Sequence, residues 1–410
     1  MKILFVTPEY PYLEPSGGIA SYVQDIAAVM ADQGHDVKVL CSTELPGEFP
    51  TVHVVQEEQT EIHFISKRKA RWLARLTRAP FLKNLLRTIL PDPGPLIAPL
   101  AVFLHWLALK KQWLPDIIEG FDWQATGLFI ALCKGDIPFV FRGGGHGKAV
   151  LTRNNISWTP YLESQHRLER WYAKHSSLLV PCSALLGQDE MKDFQIPQEK
   201  IVPVPNCVSP LALSQSTAQH QDRGEKLKAV FVGRLEFRKG IDLFIKAAQN
   251  LFPCYPGVEY HCIGRVDIGP SSLLEKTIHA DLFKKNIHIT GPLPRQKVYE
   301  YLSYCDFAVF PSRYEPFGTV AIEAMALGLP VIVSDAGGWR EAVEDGVSGF
   351  ICKADDEKNL REKMELMIKM TPGQRNVMGE RGRKIVEQNY TSNAISNRMI
   401  EIYHGLLRQE

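Results

Sequence analysis

The sequence predicts an α/β protein with two domains, each a parallel sheet covered by helices. Its 410 residues exceed the size that one hydrophobic core usually organises. Short apolar runs alternate with helical segments before residue 206 and again after residue 228, which is typical of parallel sheets with helices on both faces. Between the two series, residues 206–228 turn polar, and this shift predicts an interdomain linker.

Composition narrows the class of protein. A hydrophobic content of 45% with 23% charged residues is typical of soluble globular chains, and the net charge of +1 gives no support for nucleic-acid binding. The eight cysteines form no C-x-x-C pair, so we expect buried free thiols in a reducing cytosol rather than disulfides or zinc. The opening MKILFV resembles a strand rather than a signal peptide, and the apolar run Leu96–Leu109 is too short to span a bilayer. These features predict a cytoplasmic protein.

Glycine-rich loops mark the first half of the chain. Strand Lys2–Thr7 leads through Gly17 and Gly18 to a predicted helix, and backbone amides at such a turn can approach a phosphate. A plain turn explains the same glycines, and the missing G-x-G-x-x-G fingerprint argues against a dinucleotide cofactor. A second loop, FRGGGHGK at 141–148, places His146 where a sugar hydroxyl or phosphate could bind, although a loop histidine can equally be merely solvated. The other strands predicted here are Val37–Ser42, Ile62–Ser66, Asp116–Gly120, Phe139–Arg142 and Leu178–Pro181.

Residues 67–90 form a basic stretch with eight Lys or Arg and no acidic residue. Its apolar residues recur at helical spacing, and Pro80 divides it into two pieces. A basic amphipathic helix can lie on an anionic membrane or meet a phosphorylated acceptor. Ordinary packing of the apolar face, with a solvated basic face, explains the pattern equally well.

Two cations and two carboxylates mark the second half. Strand 228–234 ends in Arg234, and Glu236–Gly240 is predicted to open a helix with Lys239 in its first turn, so the two cations could clamp a diphosphate. Glu315 precedes a predicted helix, Thr319–Leu327, that contains Glu323. Carboxylates bracketing a helix N-terminus suit sugar hydroxyls, although surface charges and ion pairs remain an alternative for all four residues. Later strands are predicted at Val258–Ile263, Ile287–Thr290, Phe307–Phe310 and Val331–Ser334, and helices at 356–370, 374–388 and Thr391–Gln409.

Five segments, in order, resemble motifs of the retaining glycosyltransferases of family four. YEPFGTVAIEAMALGLPVI is similar to the family signature with two glutamates eight residues apart, and GRLEFRKG (233–240) resembles the diphosphate-binding segment. GGIASYVQDIA (17–27) resembles the N-terminal glycine loop, PNCV (205–208) the hinge entry, and GGWREAV (337–343) the glycine-rich turn after the signature. Cys207 and Ser209 depart from the usual hinge residues. The five motifs span almost the whole chain.

The resemblance implies the GT-B fold, in which two Rossmann-like domains with parallel sheets face each other across a cleft. Residues 1–206 would bind a hydroxyl acceptor, residues 207–388 a UDP- or GDP-sugar donor, and the helix in 389–410 would cross back to the first domain. The resemblance further implies a metal-independent hexosyltransferase without a cofactor, and the sequence offers no Asp-x-Asp metal clamp. We expect residues 67–90 to be the contact if the enzyme lies on the cytoplasmic membrane face.

The resemblance also implies residue roles. Glu323 would accept hydrogen bonds from the ribose, while Glu315 and the amides near Phe317 and Gly318 would hold the transferred sugar. Arg234 and Lys239 would neutralise the diphosphate, assisted by the loop at Gly17 and Gly18. His146 or Arg142 would take the place of a histidine that the family often has on the acceptor side. The alternatives are another GT-B enzyme, such as a nucleotide-sugar epimerase or a phosphorylase, and an inactive membrane-associated partner subunit.

Overall fold

The computed structural model describes residues 1–11, 17–46, 49–70, 89–145, 147–154, 156–215, 226–266 and 286–408. The chain divides into two compact units. The first contains Met1–Ala149, Ser157–Pro205 and Ser392–Glu410, and the second contains Val150–Ile156 and Asn206–Thr391. The predicted functions of the two domains, acceptor binding and donor binding, remain predictions.

The first unit is built on a seven-stranded sheet with the strand order β3-β4-β2-β1-β5-β6-β7. All neighbouring strands are parallel except β3 and β4, which form an antiparallel pair at one edge. The buried central strands are nearly continuous apolar runs, as expected where helices cover both faces. The strands are β1 Lys2–Thr7, β2 Asp36–Thr43, β3 Val52–Glu57, β4 Thr60–Ser66, β5 Ile117–Phe121, β6 Phe139–Gly143 and β7 Leu178–Pro181.

The helices of the first unit alternate with these strands along the chain. They are α1 Gly18–Asp32, α2 Ile97–Leu109, α3 Leu128–Leu132, α4 Gly147–Arg153, α5 Pro160–His175 and α6 Ala184–Phe194, of which α4 runs on into the residues of the second unit. Short 3-10 turns lie at Lys67–Ala70, Gly94–Leu96, Trp123–Ala125 and Gln198–Lys200.

The second unit contains a six-stranded sheet, all parallel, with the order β10-β9-β8-β11-β12-β13. Its strands are β8 Leu227–Val232, β9 Val258–Ile263, β10 Ile287–Gly291, β11 Phe307–Phe310, β12 Val331–Ser334 and β13 Gly349–Cys352. Its helices are α7 Pro210–Gln215, α8 Ile241–Leu251, α9 Arg295–Ser303, α10 Thr319–Ala326, α11 Glu357–Lys369 and α12 Pro372–Asn389, with 3-10 turns at Phe237–Lys239 and Gly338–Glu341.

The last helix, α13 Ser392–Leu407, belongs to the first unit. It packs against α1, where the Ser396 hydroxyl donates to the side chain of Gln33 at 3.0 Å. The Tyr403 hydroxyl donates to the carboxylate of Glu119, which is fully buried on β5. Burial raises the pKa of Glu119, although Arg142 and the tyrosine act in the opposite direction. The final helix therefore completes the buried polar network of the first unit.

Three features of the structure differ from the sequence predictions. Strand β3 was missed because its alternating, half-exposed residues lack the continuous apolar run of a central strand. Strand β13 was missed because it begins with glycine and its two middle residues are only partly buried, so it carries little hydrophobic signal. The predicted linker contains helix α7, and Val208 forms a β-bridge with Thr391 instead of lying in free coil.

Two further sequence predictions can be placed on the structure. All eight cysteines are free thiols, and six of them are buried. Most of the basic stretch 67–90 lies outside the described residues, since only 67–70 and 89–90 are included. Among the residues that the structure describes, no helix is both long and apolar enough to cross a membrane.

Candidate active site

The predicted donor residues follow three neighbouring strands of the second sheet. Arg234 comes after β8, Glu315 comes after β11, and Gly337 comes after β12, and these three strands are adjacent in the order β8-β11-β12. Because the strands are parallel, their carboxyl ends meet at one edge of the sheet, where open α/β sheets bind ligands. The structure thus brings Arg234, Glu315 and Gly337 to one edge of the second sheet, whereas Gly17 and Gly18, which were also predicted for the donor, belong to the first unit.

Glu315 is the centre of this site. It is only 7% exposed, and its backbone is fixed on both sides, since its N–H donates to Ala336 O at 3.1 Å and its carbonyl accepts from Gly338 N at 3.0 Å. Lys239 Nζ donates to Glu315 Oε2, and Arg238 Nη1 lies 3.8 Å from the same oxygen. A buried carboxylate between two cations is therefore held in one position at the edge of the sheet.

The ionisation of Glu315 and that of Lys239 depend on each other. Burial by itself raises the pKa of Glu315, but the attraction of Lys239 and Arg238 outweighs it and holds the pKa below its usual value. Burial lowers the pKa of the Lys239 ammonium, and only part of this effect is offset by Glu315. Glu315 is accordingly a carboxylate at neutral pH, able to accept a hydrogen bond from a ligand hydroxyl.

Gly318 is the residue that lets α10 begin next to Glu315. It caps the helix with φ 94°, a left-handed conformation that favours glycine. A Cβ atom here would lie 2.1 Å from Cε3 of Trp339, whose Nε1 donates to Ser334 O at 2.8 Å. The neighbouring Phe317 side chain is buried, with its ring centroid 6.0 Å from that of Tyr390. Gly318 has no side chain and that of Phe317 is buried, so a ligand can contact only the backbone of these two residues.

Glu323 lies on α10 and is held by residues from α9. Its Oε1 accepts from Arg295 Nη2 at 2.7 Å, from Arg295 Nε at 3.2 Å and from the Tyr299 hydroxyl at 2.7 Å. Sequence reasoning missed both partners because they precede Glu323 by 28 and 24 residues and carry no local motif. With three hydrogen bonds on one oxygen, the other oxygen of Glu323 is the better placed acceptor for a ligand.

The loop after β8 differs in detail from the prediction. Lys239 ends a 3-10 turn, Phe237–Lys239, and α8 begins only at Ile241, so the prediction that Lys239 lies in the first turn of the helix is wrong. Gly240 separates the two with φ 72°, and a Cβ atom there would lie 2.1 Å from Pro311 O. This close contact brings Lys239 to the loop that carries Glu315.

Arg238 is a further cation that the sequence reasoning did not single out. Its side chain is 3% exposed and donates to Glu236 at 2.7 Å and to Tyr314 O at 2.8 Å. Arg234 is much more open, with a 46% exposed side chain 3.3 Å from Glu236. Arg238 therefore orders the two loops, while Arg234 has more freedom to reach a ligand.

The predicted site residues of the first unit differ in position and in burial. Gly17 caps α1 and Gly18 begins it, and Gly17 N–H faces Glu9 Oε2 at 3.5 Å. Arg142 is completely buried on β6, where it donates to Val204 O at 2.8 Å and to Pro205 O at 3.1 Å. The predicted acceptor role of Arg142 is therefore replaced by a structural one. His146 lies outside the described residues.

The chain matches two models of glycosyltransferase families. Residues 16–210 match the model of Glycosyltransferase Family 4, and residues 214–385 match the model of Glycosyl transferases group 1. A glycogen synthase of Mycobacterium tuberculosis is 28% identical over 366 residues, which cover 88% of this chain and 84% of that protein.

Solved structures show the same fold. Sucrose-phosphate synthase from Thermosynechococcus elongatus superposes with a TM-score of 0.76 at 19% identity and covers 100% of both chains. The Anabaena protein HepE, in complex with UDP and glucose, superposes with a TM-score of 0.67 at 19% identity, covering 98% of this chain and 99% of that one. The predicted GT-B fold with two Rossmann-like domains is thereby confirmed.

Proposed function

The chain belongs to the family 4 glycosyltransferases, and we propose that it is a retaining enzyme that moves a sugar from a nucleotide diphosphate sugar to a hydroxyl acceptor. The observation that carries this proposal is the buried Glu315, held by Lys239 beside the start of α10, with Glu323 on that same helix. Carboxylates, cations and free helix amides together match the hydroxyls and the diphosphate of such a donor.

The proposed mechanism follows from where charge develops. Breaking the sugar–phosphate bond leaves positive charge on the anomeric carbon and negative charge on the diphosphate. Lys239, Arg234 and the amides at the start of α10 stabilise the diphosphate. Glu315 accepts a hydroxyl of the transferred sugar, and Glu323 accepts the ribose hydroxyls. The acceptor attacks from the side of the leaving group, and a phosphate oxygen takes its proton, so that no protein nucleophile is required.

Lys239 has two roles in this mechanism, as the partner of Glu315 and as a cation for the diphosphate. In the unliganded protein its ammonium is bound to Glu315, so each charge compensates the other in a buried site. When the donor binds, its diphosphate supplies a second anion for Lys239, and the sugar hydroxyl supplies a donor for Glu315. The ion pair therefore keeps both groups in position before the substrate arrives.

The donor can be identified first and the stereochemistry afterwards. A thermal-shift screen against UDP, GDP and ADP reports the preferred nucleotide, because a bound ligand raises stability by mass action. UDP is the first choice, since HepE was solved with UDP and glucose. We then expect proton NMR of slow donor hydrolysis to show the anomer of the donor as the first product. The opposite anomer appearing first would contradict the retaining mechanism, and release of nucleotide that increases with acceptor excludes an epimerase.

Chelation is expected to leave the transfer rate unchanged. In the proposed mechanism the diphosphate charge is neutralised by Lys239, Arg234 and helix amides, so no metal ion has to bridge it. Steady-state transfer should be measured after dialysis against EDTA, with added Mg²⁺ or Mn²⁺ as the comparison. Loss of transfer on chelation, with recovery on adding the divalent ion, would refute this part of the proposal.

The basic stretch 67–90 is proposed to bind an anionic membrane surface. Its eight Lys and Arg residues could each contribute about 1 kcal/mol near such a surface. We expect the protein to co-sediment with vesicles containing phosphatidylglycerol and to stay in solution with phosphatidylcholine alone. The triple variant Arg75→Gln, Arg78→Gln and Lys83→Gln should lose this binding. Equal sedimentation with both vesicles, or with neither, would contradict the proposal.

A further inference from the structure

A group of three potential metal ligands lies at the edge of the second sheet. Glu259 and His261 are on β9, two residues apart, and His288 is on the edge strand β10. His261 and His288 are register partners on the two parallel strands, so all three side chains leave the same face of the sheet. One carboxylate oxygen and one nitrogen from each imidazole lie within 4.8 Å of one another. The sequence reasoning missed this group because only strand register brings His288 to the other two residues.

His261 is the informative member of the group. Its side chain is 9% exposed, and its Nε2 is buried without a hydrogen-bond partner, since Glu259 Oε2 lies 3.6 Å away. Its other nitrogen, Nδ1, is 2.7 Å from the hydroxyl of Tyr301 on α9. In the tautomer in which Nδ1–H donates to the phenol oxygen, the Nε2 lone pair faces Glu259 and His288. Metal-binding histidines are usually oriented in this way, by a hydrogen bond from the nitrogen that does not bind the metal.

The surroundings suit a cation of borderline softness. Glu259 uses Oε1 for Lys226 at 3.1 Å, and Lys226 is 60% exposed, so Oε2 remains directed at His261. Two imidazoles with one carboxylate is a donor set typical of zinc.

We propose that Glu259, His261 and His288 bind a zinc ion, with a fourth position open to water. Ligands of a tetrahedral zinc lie about 3.4 Å apart for bonds of about 2.0–2.1 Å. His261 Nε2 and Glu259 Oε2 are already 3.6 Å apart, and His288 is exposed and can rotate to close the third side. The two rings are nearly parallel, with centroids 4.8 Å apart, so binding requires them to tilt toward each other. The ion joins β9 to the edge strand β10, which makes it a stabilising element separate from Glu315 and Lys239.

Direct metal titration of the full-length protein tests the proposal. Tag-free protein is dialysed against EDTA and then titrated with ZnCl₂ by calorimetry and with CoCl₂ by visible absorption. We expect one zinc per chain, a higher thermal midpoint with zinc, and the visible bands of four-coordinate cobalt. His288→Gln should weaken zinc binding at least about 100-fold, and Tyr301→Phe about 10-fold through loss of orientation.

The control is His175→Gln, an exposed histidine of the first unit, which should bind zinc like the unchanged protein. His288 is also exposed, so its substitution is expected to leave the fold intact. Zinc binding below one equivalent, or equal affinity in His288→Gln and His175→Gln, would overturn the proposal. Because binding and thermal midpoint are the readouts, the outcome does not depend on whether transfer requires metal.

Discussion

The Glu315→Gln enzyme is expected to bind free UDP, the nucleotide of the proposed donor, as tightly as the unchanged enzyme does, while its transfer rate falls by about a hundredfold. Such a loss corresponds to roughly 3 kcal/mol of transition-state stabilisation. Glu315 is proposed to touch only the transferred sugar, which free UDP lacks. Calorimetric titration of UDP beside steady-state transfer rates measures both quantities.

Glu323→Gln is the matched control for this prediction. Glu323 is proposed to accept the ribose hydroxyls, so its substitution should weaken binding of free UDP and of the donor alike. The amide can still interact with Arg295 and Tyr299, which limits damage to the contact between α9 and α10. The assignment of the two glutamates would be wrong if Glu315→Gln lost UDP binding as severely as Glu323→Gln with its thermal midpoint preserved.

Lys239→Met is expected to reduce kcat by about a hundredfold, because the lysine faces a charge that grows as the bond breaks. Methionine keeps the length of the side chain but not its charge. Arg234→Met is the comparison, since Arg234 is 46% exposed and its interaction with the diphosphate is more screened. We therefore expect a smaller decrease, of about tenfold.

Stability must be measured beside these rates. Removing the ammonium leaves Glu315 buried with Arg238 at 3.8 Å as its remaining cation, which destabilises the folded protein as well as the transition state. Denaturant unfolding separates the two effects, and kcat is compared below the transition. Equal decreases in kcat for Lys239→Met and Arg234→Met would contradict the different roles that burial assigns to the two cations.

Much of the fold could be predicted because buried parallel strands are continuous apolar runs. The bounds of β7, β9, β11 and β12 agree with the sequence predictions to the residue. Strands β3 and β13 were missed because half-exposed strands carry little hydrophobic signal. The four strands predicted to the residue are, by contrast, almost entirely buried.

The candidate site, like the fold, could be predicted from the sequence only in part. The spacing of Glu315 and Glu323 and the glycine at 318 could be recognised because they share one continuous segment. Arg295 and Tyr299 could not be recognised, since they reach Glu323 only through packing of α9 against α10. Arg142 was predicted to bind the acceptor because it stands near the position of a histidine that the family often has, but its guanidinium donates to backbone carbonyls. Local sequence cannot show in which direction a side chain at a strand end points.

The position of α13 has a consequence for biosynthesis. During translation, Glu119 and its sheet leave the ribosome long before Tyr403, which lies 284 residues later. Apart from Val150–Ile156, the residues of the second unit are contiguous, so this unit can fold before α13 is synthesised. At that stage the first unit still exposes the surface of α1 that α13 will cover. Until residues 392–407 are synthesised, the nascent first unit lacks the helix that packs against α1 and the tyrosine hydroxyl that donates to Glu119. Chaperone demand and aggregation during synthesis should accordingly increase in variants that weaken the packing of this last helix.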